Sequence, residues 1–367
     1  MSLYKSLIRP VFFQLDPEKS HKLALKLSSL LRLPFLRTLV SSHLTVKNPA
    51  LKVQLFGLDF PNPVGVAAGV DKDCEVLDVF KTFGFGWVEA GTVTPEPQIG
   101  NPKPRMHRFP KDLALVNSMG FPSIGVKNVK AYLARFNGKK TLLPLIGMNV
   151  VKNKTQEGDE AYQGYAKVVE GLYEFSDFFI VNVSSPNMPG LREFQESNKL
   201  KLIFDAIKNV NPENKPVLVK FAPDLTLDQL NDALKTCNEA KISGVVATNT
   251  TISREVLPEA SDLPGGVSGK PLRARSLEVV KHIYTYTNGK LPIIGVGGIT
   301  TADDAIKMIR AGASLIAIYT GLVYEGPGFA QQINLKLSEH LKLNNLSSLS
   351  DLVGVDCLLS KEARKTA

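Results

Sequence analysis

The segment PIIGVGGITTADDAIKMIRAGASLIAIY, residues 292–319, carries the pattern that decides the fold. It opens with an apolar run at 292–297, continues with a helix-like stretch at 302–311, and closes with a second apolar run at 314–319. Apolar runs without polar alternation predict strands buried on both faces, and helices between such strands predict a parallel sheet. The segment is therefore predicted to be one strand–helix–strand repeat.

The same repeat recurs along most of the chain. Helix-like segments separate six further apolar runs, which cover residues 63–68, 87–92, 143–149, 178–183, 217–222 and 244–249. Eight repeats over residues 60–342 predict an α/β fold of the (β/α)8 TIM barrel type, for which about 250 residues is typical, with insertions after the second and sixth strands. A doubly wound open sheet is the alternative, but its G-x-G-x-x-G fingerprint is missing after the first strand.

The composition is that of an ordinary globular protein. Of the 367 residues, 44% are hydrophobic and 22% are charged, which excludes a disordered, collagen-like or coiled-coil chain. No stretch approaches about 18 uninterrupted apolar residues, so a transmembrane helix is not predicted. The three cysteines, Cys74, Cys237 and Cys357, lie far apart, which argues against a disulfide framework and against a zinc site. We therefore predict no metal.

Residues 1–47 differ from the rest of the chain in charge. They hold eight basic and two acidic residues, so about an eighth of the chain carries +6 of the net charge of +9. Such asymmetry suggests an anionic surface as a partner. Nucleic acid is not predicted, because the basic residues alternate with leucine rather than with aromatic stacking residues. We assign residues 1–47 to a helical extension, 48–342 to the barrel and 343–367 to a C-terminal tail.

The extension is predicted to contain an amphipathic helix. Asp16 and Pro17 form a good helix start, and Pro34 is predicted to end the helix. One face carries the apolar residues Leu23, Leu27, Leu30 and Leu31, and another carries Lys22, Lys26 and Ser29. A basic helix with a leucine face fits a membrane interface, but this segment taken alone favours packing on the core of the protein itself.

Polar residues and glycines follow the carboxyl ends of the predicted strands, which is where barrels of this type place their chemistry. Lys72 follows the first strand, and asparagine, serine or threonine follows several others. Glycines after the seventh strand, at 297–298, let the backbone approach an anion closely, and residues 319–321 after the eighth can donate further amides. These two loops predict a ligand that bears a phosphate.

Lys220 interrupts the apolar strand at 217–222. A buried ammonium is costly unless it has an anionic or polar partner. One interpretation is a Schiff-base lysine, as in aldolases. Another is a cation beside a cofactor that becomes anionic on reduction. The residues near Lys220 leave both interpretations open.

Five strings in the chain closely resemble those of the dihydroorotate dehydrogenase family. They are AGVDK at 68–72, GNPKPR at 100–105, NVSSPN at 182–187, ATNTT at 247–251 and PIIGVGG at 292–298. The similarity extends from about residue 4 to about residue 342. The helical extension and the serine in the loop at 182–187 are similar to the quinone-dependent, membrane-associated class, since the soluble classes use a cysteine as the base.

The resemblance implies FMN in the barrel mouth and oxidation of dihydroorotate to orotate, with a membrane quinone as the final electron acceptor. It implies a peripheral membrane protein, on the cytoplasmic face of the inner membrane if the source is bacterial, held to anionic lipid through residues 1–47. Ser185 matches the catalytic base that removes the C5 proton while C6 delivers hydride to the flavin. The chemistry suits this assignment, because the substrate has a carboxylate for Lys72 and imide and amide groups for asparagines.

The resemblance also implies three sets of binding residues. Substrate contacts match Lys72, Asn117, Ser118, Met119, Gly120, Phe121, Asn182, Asn187, Asn249 and Thr250. FMN contacts match Ala68, Gly69, Val70, Asp71, Lys72, Thr92, Asn149, Asn182, Lys220, Thr248, Gly269, Gly298, Tyr319 and Thr320. The quinone tunnel matches His21, Arg108 and Tyr319.

Four positions depart from the family pattern. Met188 stands where a threonine usually follows S-S-P-N, and Ser118 stands where an arginine is usual. Val151 and His107 replace a common glycine and a common phenylalanine. Because methionine cannot donate a proton, the route by which the proton leaves Ser185 is open.

Three other functions remain as alternatives to this reaction. Another FMN barrel, such as a hydroxy-acid oxidase, generally needs a histidine base, and none of the five histidines lies at a predicted strand end. A Schiff-base aldolase would use Lys220. A membrane-bound scaffold with a degenerate barrel would lack stoichiometric FMN.

Overall fold

The computed structural model of the protein describes residues 3–358; residues 359–367 of the predicted tail lie outside the described residues. In chain order the strands are β1 (Val53–Leu55), β2 (Leu58–Phe60), β3 (Val64–Val66), β4 (Trp87–Val93), β5 (Met106–Phe109), β6 (Ala114–Asn117), β7 (Leu145–Val150), β8 (Phe178–Asn182), β9 (Val217–Phe221), β10 (Gly244–Ala247), β11 (Gly266–Gly269), β12 (Ile293–Val296) and β13 (Leu315–Ile318). The α-helices are α1 (Arg9–Gln14), α2 (Pro17–Ser28), α3 (Pro34–Leu44), α4 (Leu77–Thr82), α5 (Gly125–Ala134), α6 (Gly158–Leu172), α7 (Ser197–Lys208), α8 (Leu227–Glu239), α9 (Arg273–Tyr286), α10 (Ala302–Arg310), α11 (Thr320–Glu325) and α12 (Phe329–Leu343).

Eight parallel strands close into a barrel in the order β3-β4-β7-β8-β9-β10-β12-β13. The last strand pairs with the first, with Ile316 opposite Val64, so no open edge remains. All eight predicted apolar runs form these strands, and helices connect them. The predicted (β/α)8 barrel is confirmed, and the doubly wound sheet is excluded because an open sheet would leave β13 and β3 unpaired.

Aromatic side chains fill the barrel at the amino ends of its strands. The rings of Trp87 and Phe178, each the first residue of its strand, lie 6.0 Å apart, and Phe60 from the β1–β2 hairpin packs against both. Glycine on the neighbouring strand makes room for each large ring, because a Cβ at Gly65 would lie 2.1 Å from the Trp87 ring. This end of the barrel is therefore a packed core, and an open cavity exists at the other end.

The two insertions form a three-stranded antiparallel sheet, β11-β6-β5, that was not predicted. Strands β5 and β6 come from the insertion after β4, and β11 comes from the insertion after β10. Val116 pairs with Val267 across segments that are about 150 residues apart in the chain. This long-range pairing gives little local signal in the sequence.

Charged and polar contacts fasten the amino-terminal helices to the barrel. Arg105 binds Glu18 of α2 with two nitrogens, at 3.1 and 3.0 Å. Arg32 binds both carboxylate oxygens of the buried Asp78 at 3.1 Å. Of the eight basic residues in 1–47, Lys5, Arg9, Arg32 and Arg37 bind acceptors in residues 48–342 and so help to attach the helices to the barrel.

The leucine face predicted for the amino-terminal helix is largely exposed, on α2 and on the 3₁₀ turn that follows it. Leu23, Leu27 and Leu30 expose 38%, 48% and 56% of their surface. Leu31, predicted to share that face, instead packs against the core. The prediction was wrong there because α2 ends at Ser28 and not near Pro34, and a tighter 3₁₀ turn at Ser29–Arg32 changes the helical register. Within residues 3–358, no helix is both long and apolar enough to cross a membrane.

Candidate active site

A cavity of about 1040 Å³ opens at the carboxyl ends of the barrel strands, and β6 and β11 of the small sheet contribute to its wall. Most of the residues predicted for the site line this cavity. They are Ala68, Gly69, Lys72, Thr92, Asn117, Met119, Gly120, Phe121, Asn182, Ser185, Asn187, Lys220, Thr248, Asn249, Thr250, Gly269, Gly298, Tyr319 and Thr320. The strand topology brings these residues together from nearly every segment of the barrel, as expected when parallel strand ends meet at one rim.

The floor of the cavity holds a buried ion pair. The Lys220 ammonium donates to both carboxylate oxygens of Glu89, at 3.0 and 2.9 Å. Glu89 also accepts from the Asn149 amide at 2.6 Å and from the backbone N–H of Ala68 at 3.0 Å. All four of these contacts are donors to the carboxylate, so the pair has the additional hydrogen bonds that a buried charge requires.

Sequence reasoning missed Glu89. The signal was available, because Glu89 is the acidic residue in the otherwise uncharged run 87–93 and a buried lysine on another strand needed an anionic partner. The ion pair with Glu89 also argues against the interpretation of Lys220 as a Schiff-base lysine. The nitrogen of Lys220 is held between two carboxylate oxygens, where it serves as a fixed cation facing the cavity.

We expect Glu89→Gln to lower the free energy of unfolding by about 3 kcal/mol, because it leaves a buried ammonium without its counter-charge. The glutamine NH₂ would also face a group that can only donate. Urea denaturation of the purified variant measures the change. As a matched control, Glu174→Gln removes one partner of the exposed Lys130–Glu174 pair and should cost less than about 1 kcal/mol. A stable Glu89→Gln variant would show that the pair is not needed for the fold.

Amide side chains form the wall above the ion pair. The Asn182 amide donates to Asn149 at 3.1 Å, and the Asn249 amide donates to the Ser184 hydroxyl at 3.0 Å. The Asn187 amide donates to Asn117 at 2.9 Å. These bonds fix the amide planes before any ligand arrives, so their remaining donors and acceptors point in set directions.

Two polar atoms of this wall have no partner. The Asn187 Oδ1 and the Thr250 Oγ1 are buried and make no hydrogen bond within the described part of the chain. A buried polar atom without a partner is costly, so such atoms are usually satisfied by a ligand or water. Both belong to the predicted substrate contacts, and an oriented ring with amide groups would satisfy them.

Ser185 and Lys72 face the same cavity. The Ser185 hydroxyl accepts from the backbone N–H of Asn187 at 3.2 Å and is mostly buried. Burial lowers the pKa of Lys72, and none of the described residues accepts a hydrogen bond from its ammonium. A partly buried cation without a partner is prepared for an anionic ligand such as a carboxylate.

Gly298 allows two chain segments to come very close at the rim. Its φ is +75°, and a Cβ there would lie 2.3 Å from the backbone of Arg273. No group in residues 3–358 accepts from the backbone N–H of Gly298 or Thr320. Free backbone amides on the loops after β12 and β13 match the donor set that phosphate groups require.

Several predicted residues lie outside the cavity lining. Asp71 accepts from the backbone amides of Glu75 and Val76, both at 2.8 Å, and burial raises its pKa to about 6. It shapes the loop that carries Lys72. Outside the lining lie Val70, Asp71, Ser118 and Asn149, together with His21 and Arg108. Asn149 lies behind the cavity lining, where its side-chain amide donates a hydrogen bond to Glu89.

The three predicted tunnel residues do not share one cavity. Tyr319 lines the barrel cavity, whereas His21 lines a second cavity of about 1600 Å³ beneath α2. The guanidinium of Arg108 donates to the carbonyl of Phe12 at 3.1 Å and to that of Leu15, and it lies 4.6 Å from the Phe13 ring centre. Burial, followed by the nearby Lys72, lowers the pKa of His21 to about 3, so this side chain is uncharged at neutral pH.

A family profile described as Dihydroorotate dehydrogenase matches residues 50–341 of the chain. The chain belongs to the dihydroorotate dehydrogenase family. A curated relative from Christiangramia forsetii, named Dihydroorotate dehydrogenase (quinone), is 45% identical over 92% of this chain and 99% of its own length. A relative of the same name from Gloeobacter violaceus is 42% identical over 96% of this chain and 99% of its own.

Solved structures of the dihydroorotate dehydrogenase from Eimeria tenella share the fold. The ligand-free enzyme is 36% identical and covers 93% of this chain and 99% of its own, with a TM-score of 0.85. The enzyme in complex with ferulenol is 35% identical, with the same TM-score and coverage of 93% and 96%. The resemblance inferred from the five strings is confirmed.

Proposed function

We propose that this protein is a quinone-dependent dihydroorotate dehydrogenase, which oxidises dihydroorotate to orotate in pyrimidine biosynthesis with FMN as its cofactor. Family membership and relatives named Dihydroorotate dehydrogenase (quinone) support the activity. The observation that carries the assignment of the site is one cavity that combines the unpaired, partly buried ammonium of Lys72, fixed amide side chains with unsatisfied atoms, and a serine hydroxyl.

The residues at the cavity floor and rim fit a flavin mononucleotide. When bound, the flavin accepts the hydride that leaves C6 of the substrate. Lys220 would stabilise negative charge on the reduced ring system, with Glu89 fixing its position. The free amides of Gly298 and Thr320 would bind the single phosphate.

The polar wall fits dihydroorotate. Lys72 would pair with the substrate carboxylate, while the Asn187 and Thr250 oxygens that lack partners would accept from ring N–H groups. These contacts would hold C5 of the ring near Ser185.

Ser185 would take the proton from C5. A serine hydroxyl is a weak base at neutral pH and needs assistance from its surroundings. The backbone N–H of Asn187 donates to the Ser185 oxygen and would stabilise negative charge there. Met188 is buried in the hydrophobic core and carries no group that exchanges protons, so the proton would pass from Ser185 to water.

The absorbance of the purified protein tests this function. We expect a flavin spectrum, release of FMN on denaturation, bleaching on anaerobic addition of dihydroorotate, and recovery of colour with a quinone. A colourless protein trapped by borohydride with a carbonyl substrate would favour the aldolase alternative. A protein without stoichiometric FMN would favour the scaffold.

Replacing Lys72 with methionine should raise the dissociation constant of orotate about thirtyfold, because a hydrogen bond to a charged group contributes about 2 kcal/mol. Titration of the flavin absorbance with orotate measures the change. Lys81→Met is the matched control, since Lys81 on α4 donates to the Thr141 carbonyl at 2.6 Å and lines no part of the cavity. Native orotate affinity in the Lys72 variant would contradict its role.

The amino-terminal helices support a peripheral membrane location. Their exposed large apolar residues form much of the exposed apolar surface of the described chain: Leu3, Leu7, Ile8, Val11, Leu15, Leu23, Leu27, Leu30, Leu33, Phe35 and Leu39. Lys19, Lys22 and Lys26 lie on the same segment. An apolar surface beside basic side chains fits an anionic lipid interface, from which a quinone would also reach the barrel. We propose that residues 1–47 attach the enzyme to the cytoplasmic face of a bacterial inner membrane.

A further inference from the structure

Arg192 connects three loops at the rim of the cavity. It lies in the 3₁₀ turn Leu191–Gln195, after the strand that leads to Ser185. Its Nε donates to the carbonyl of Ser184 at 3.0 Å, and its Nη2 donates to the carbonyl of Thr250 at 3.0 Å. Its Nη1 lies 2.8 Å from the Asp224 carboxylate. Each nitrogen of one guanidinium thus binds the loop after a different strand, β8, β10 or β9.

Asp224 extends the same contact. One of its oxygens accepts from the Thr251 hydroxyl, and the other accepts from the backbone N–H of Ile252 at 3.2 Å. The carboxylate therefore ties the loop after β9 to the loop after β10, and it also contacts Nη1 of the Arg192 guanidinium. Planar arginine with carboxylate is the side-chain pair whose geometry best holds several acceptors at once.

The two carbonyls bound by Arg192 lie next to two residues of the proposed site, Ser185 and Thr250. The Ser184 carbonyl belongs to the peptide group that joins Ser184 to Ser185, so the bond from Arg192 restrains the backbone that carries the Ser185 side chain. The Thr250 carbonyl belongs to the residue whose hydroxyl lacks a partner in the cavity. We propose that Arg192 and Asp224 are positioning residues, which fix the base at Ser185 relative to the substrate contact at Thr250.

The proposal explains why such a clamp is needed. Loops are the mobile parts of a barrel, and Ser185 and Thr250 lie on two different loops. A displacement of about 1 Å between a base and the proton it removes can cost about a hundredfold in rate. The proposal rests on dihydroorotate oxidation, and it assigns a role in this reaction to a guanidinium that lines no part of the cavity.

Arg192→Lys in the FMN-loaded enzyme tests the clamp, because one ammonium cannot reach three acceptors in the plane of a guanidinium. We expect flavin reduction at saturating dihydroorotate to slow by about tenfold to a hundredfold. FMN content and the orotate dissociation constant should stay within about threefold of the native values. Hydrogen exchange should become faster at residues 184–187 and 249–252 and should stay unchanged in the barrel strands.

Two further variants separate positioning from general stability. Arg254→Lys is the matched control, because Arg254 also donates to loop carbonyls, those of Ile252 at 3.1 Å, Leu263 at 2.7 Å and Gly265 at 2.8 Å, but to neither the Ser184 nor the Thr250 carbonyl. It should reduce flavin at the native rate. Asp224→Asn keeps an oxygen acceptor and removes the charge, so it should slow flavin reduction less than Arg192→Lys.

Chemical rescue gives a readout that a purely structural role would not change. In Arg192→Ala, millimolar methylguanidinium should restore part of the flavin reduction rate, while methylammonium at the same concentration should not. The proposal is overturned if Arg192→Lys reduces flavin within twofold of the native rate, or if Arg254→Lys is slowed equally. If the Arg192 variants fail to fold, a native rate and native loop exchange in Asp224→Asn overturn it.

Discussion

Ser185→Ala should slow reduction of the flavin by dihydroorotate at least about a hundredfold, which is within the usual range for loss of a positioned base. The hydroxyl of Ser185 lies in the cavity, and it is the group there that resembles the catalytic base of the family. Lys72, Asn187 and Thr250 remain in the variant. FMN content and orotate affinity should therefore stay near native. Stopped-flow absorbance under anaerobic conditions measures the reductive half-reaction alone.

The neighbouring serine provides the matched comparison. Ser184 is fully buried, and its hydroxyl accepts from Asn249, so it belongs to the supporting network. We expect Ser184→Ala to slow flavin reduction about thirtyfold or less, through the loss of two hydrogen bonds, to Asn249 and Asn182, of roughly 1 kcal/mol each. If Ser184→Ala is the slower of the two variants, the base has been assigned to the wrong serine.

The triple substitution of Leu23, Leu27 and Leu30 by serine should abolish most binding to anionic vesicles. Burial of one leucine contributes about 1.5 kcal/mol, so removal of three should weaken binding at least about a hundredfold even if the burial is partial. Reoxidation of the flavin by a long-chain quinone in vesicles should fall with it. Bleaching by dihydroorotate should be unchanged, because these side chains are exposed and lie on a helix that lines no part of the barrel cavity.

Exposed leucines elsewhere supply the control for that experiment. Leu202 on α7 and Leu335 and Leu343 on α12 expose 46%, 52% and 73% of their surface. Their replacement by serine should leave vesicle binding and quinone reduction intact. Binding of the native protein should also weaken with added salt, since exposed charges are screened over about 8 Å at physiological ionic strength. Equal loss in both triple variants would show that no particular face meets the membrane.

The barrel was predictable because its signal is local. Strands buried on both faces need continuous apolar runs, and each run in the sequence formed a strand within about two residues of its predicted bounds. The start of helix α2 was predictable, because the Asp16 carboxylate caps it by accepting from the backbone N–H of Lys19. The end of that helix was not predictable, because no proline or glycine marks the change to a 3₁₀ turn at Ser29–Arg32.

The sequence by itself determined which residues meet at the site, since a parallel barrel places the carboxyl ends of all its strands at one rim. Ser185, Lys72 and Asn249 could be assigned to one cavity on that ground. Only the tertiary structure decided which side chains contact one another. Glu89 meets Lys220 across the barrel, 131 residues away in the chain, and Arg192 meets Thr250 and Asp224 on two other loops. Pairing between distant segments depends on the closure, twist and loop conformations of the whole barrel, which no local pattern of residues encodes.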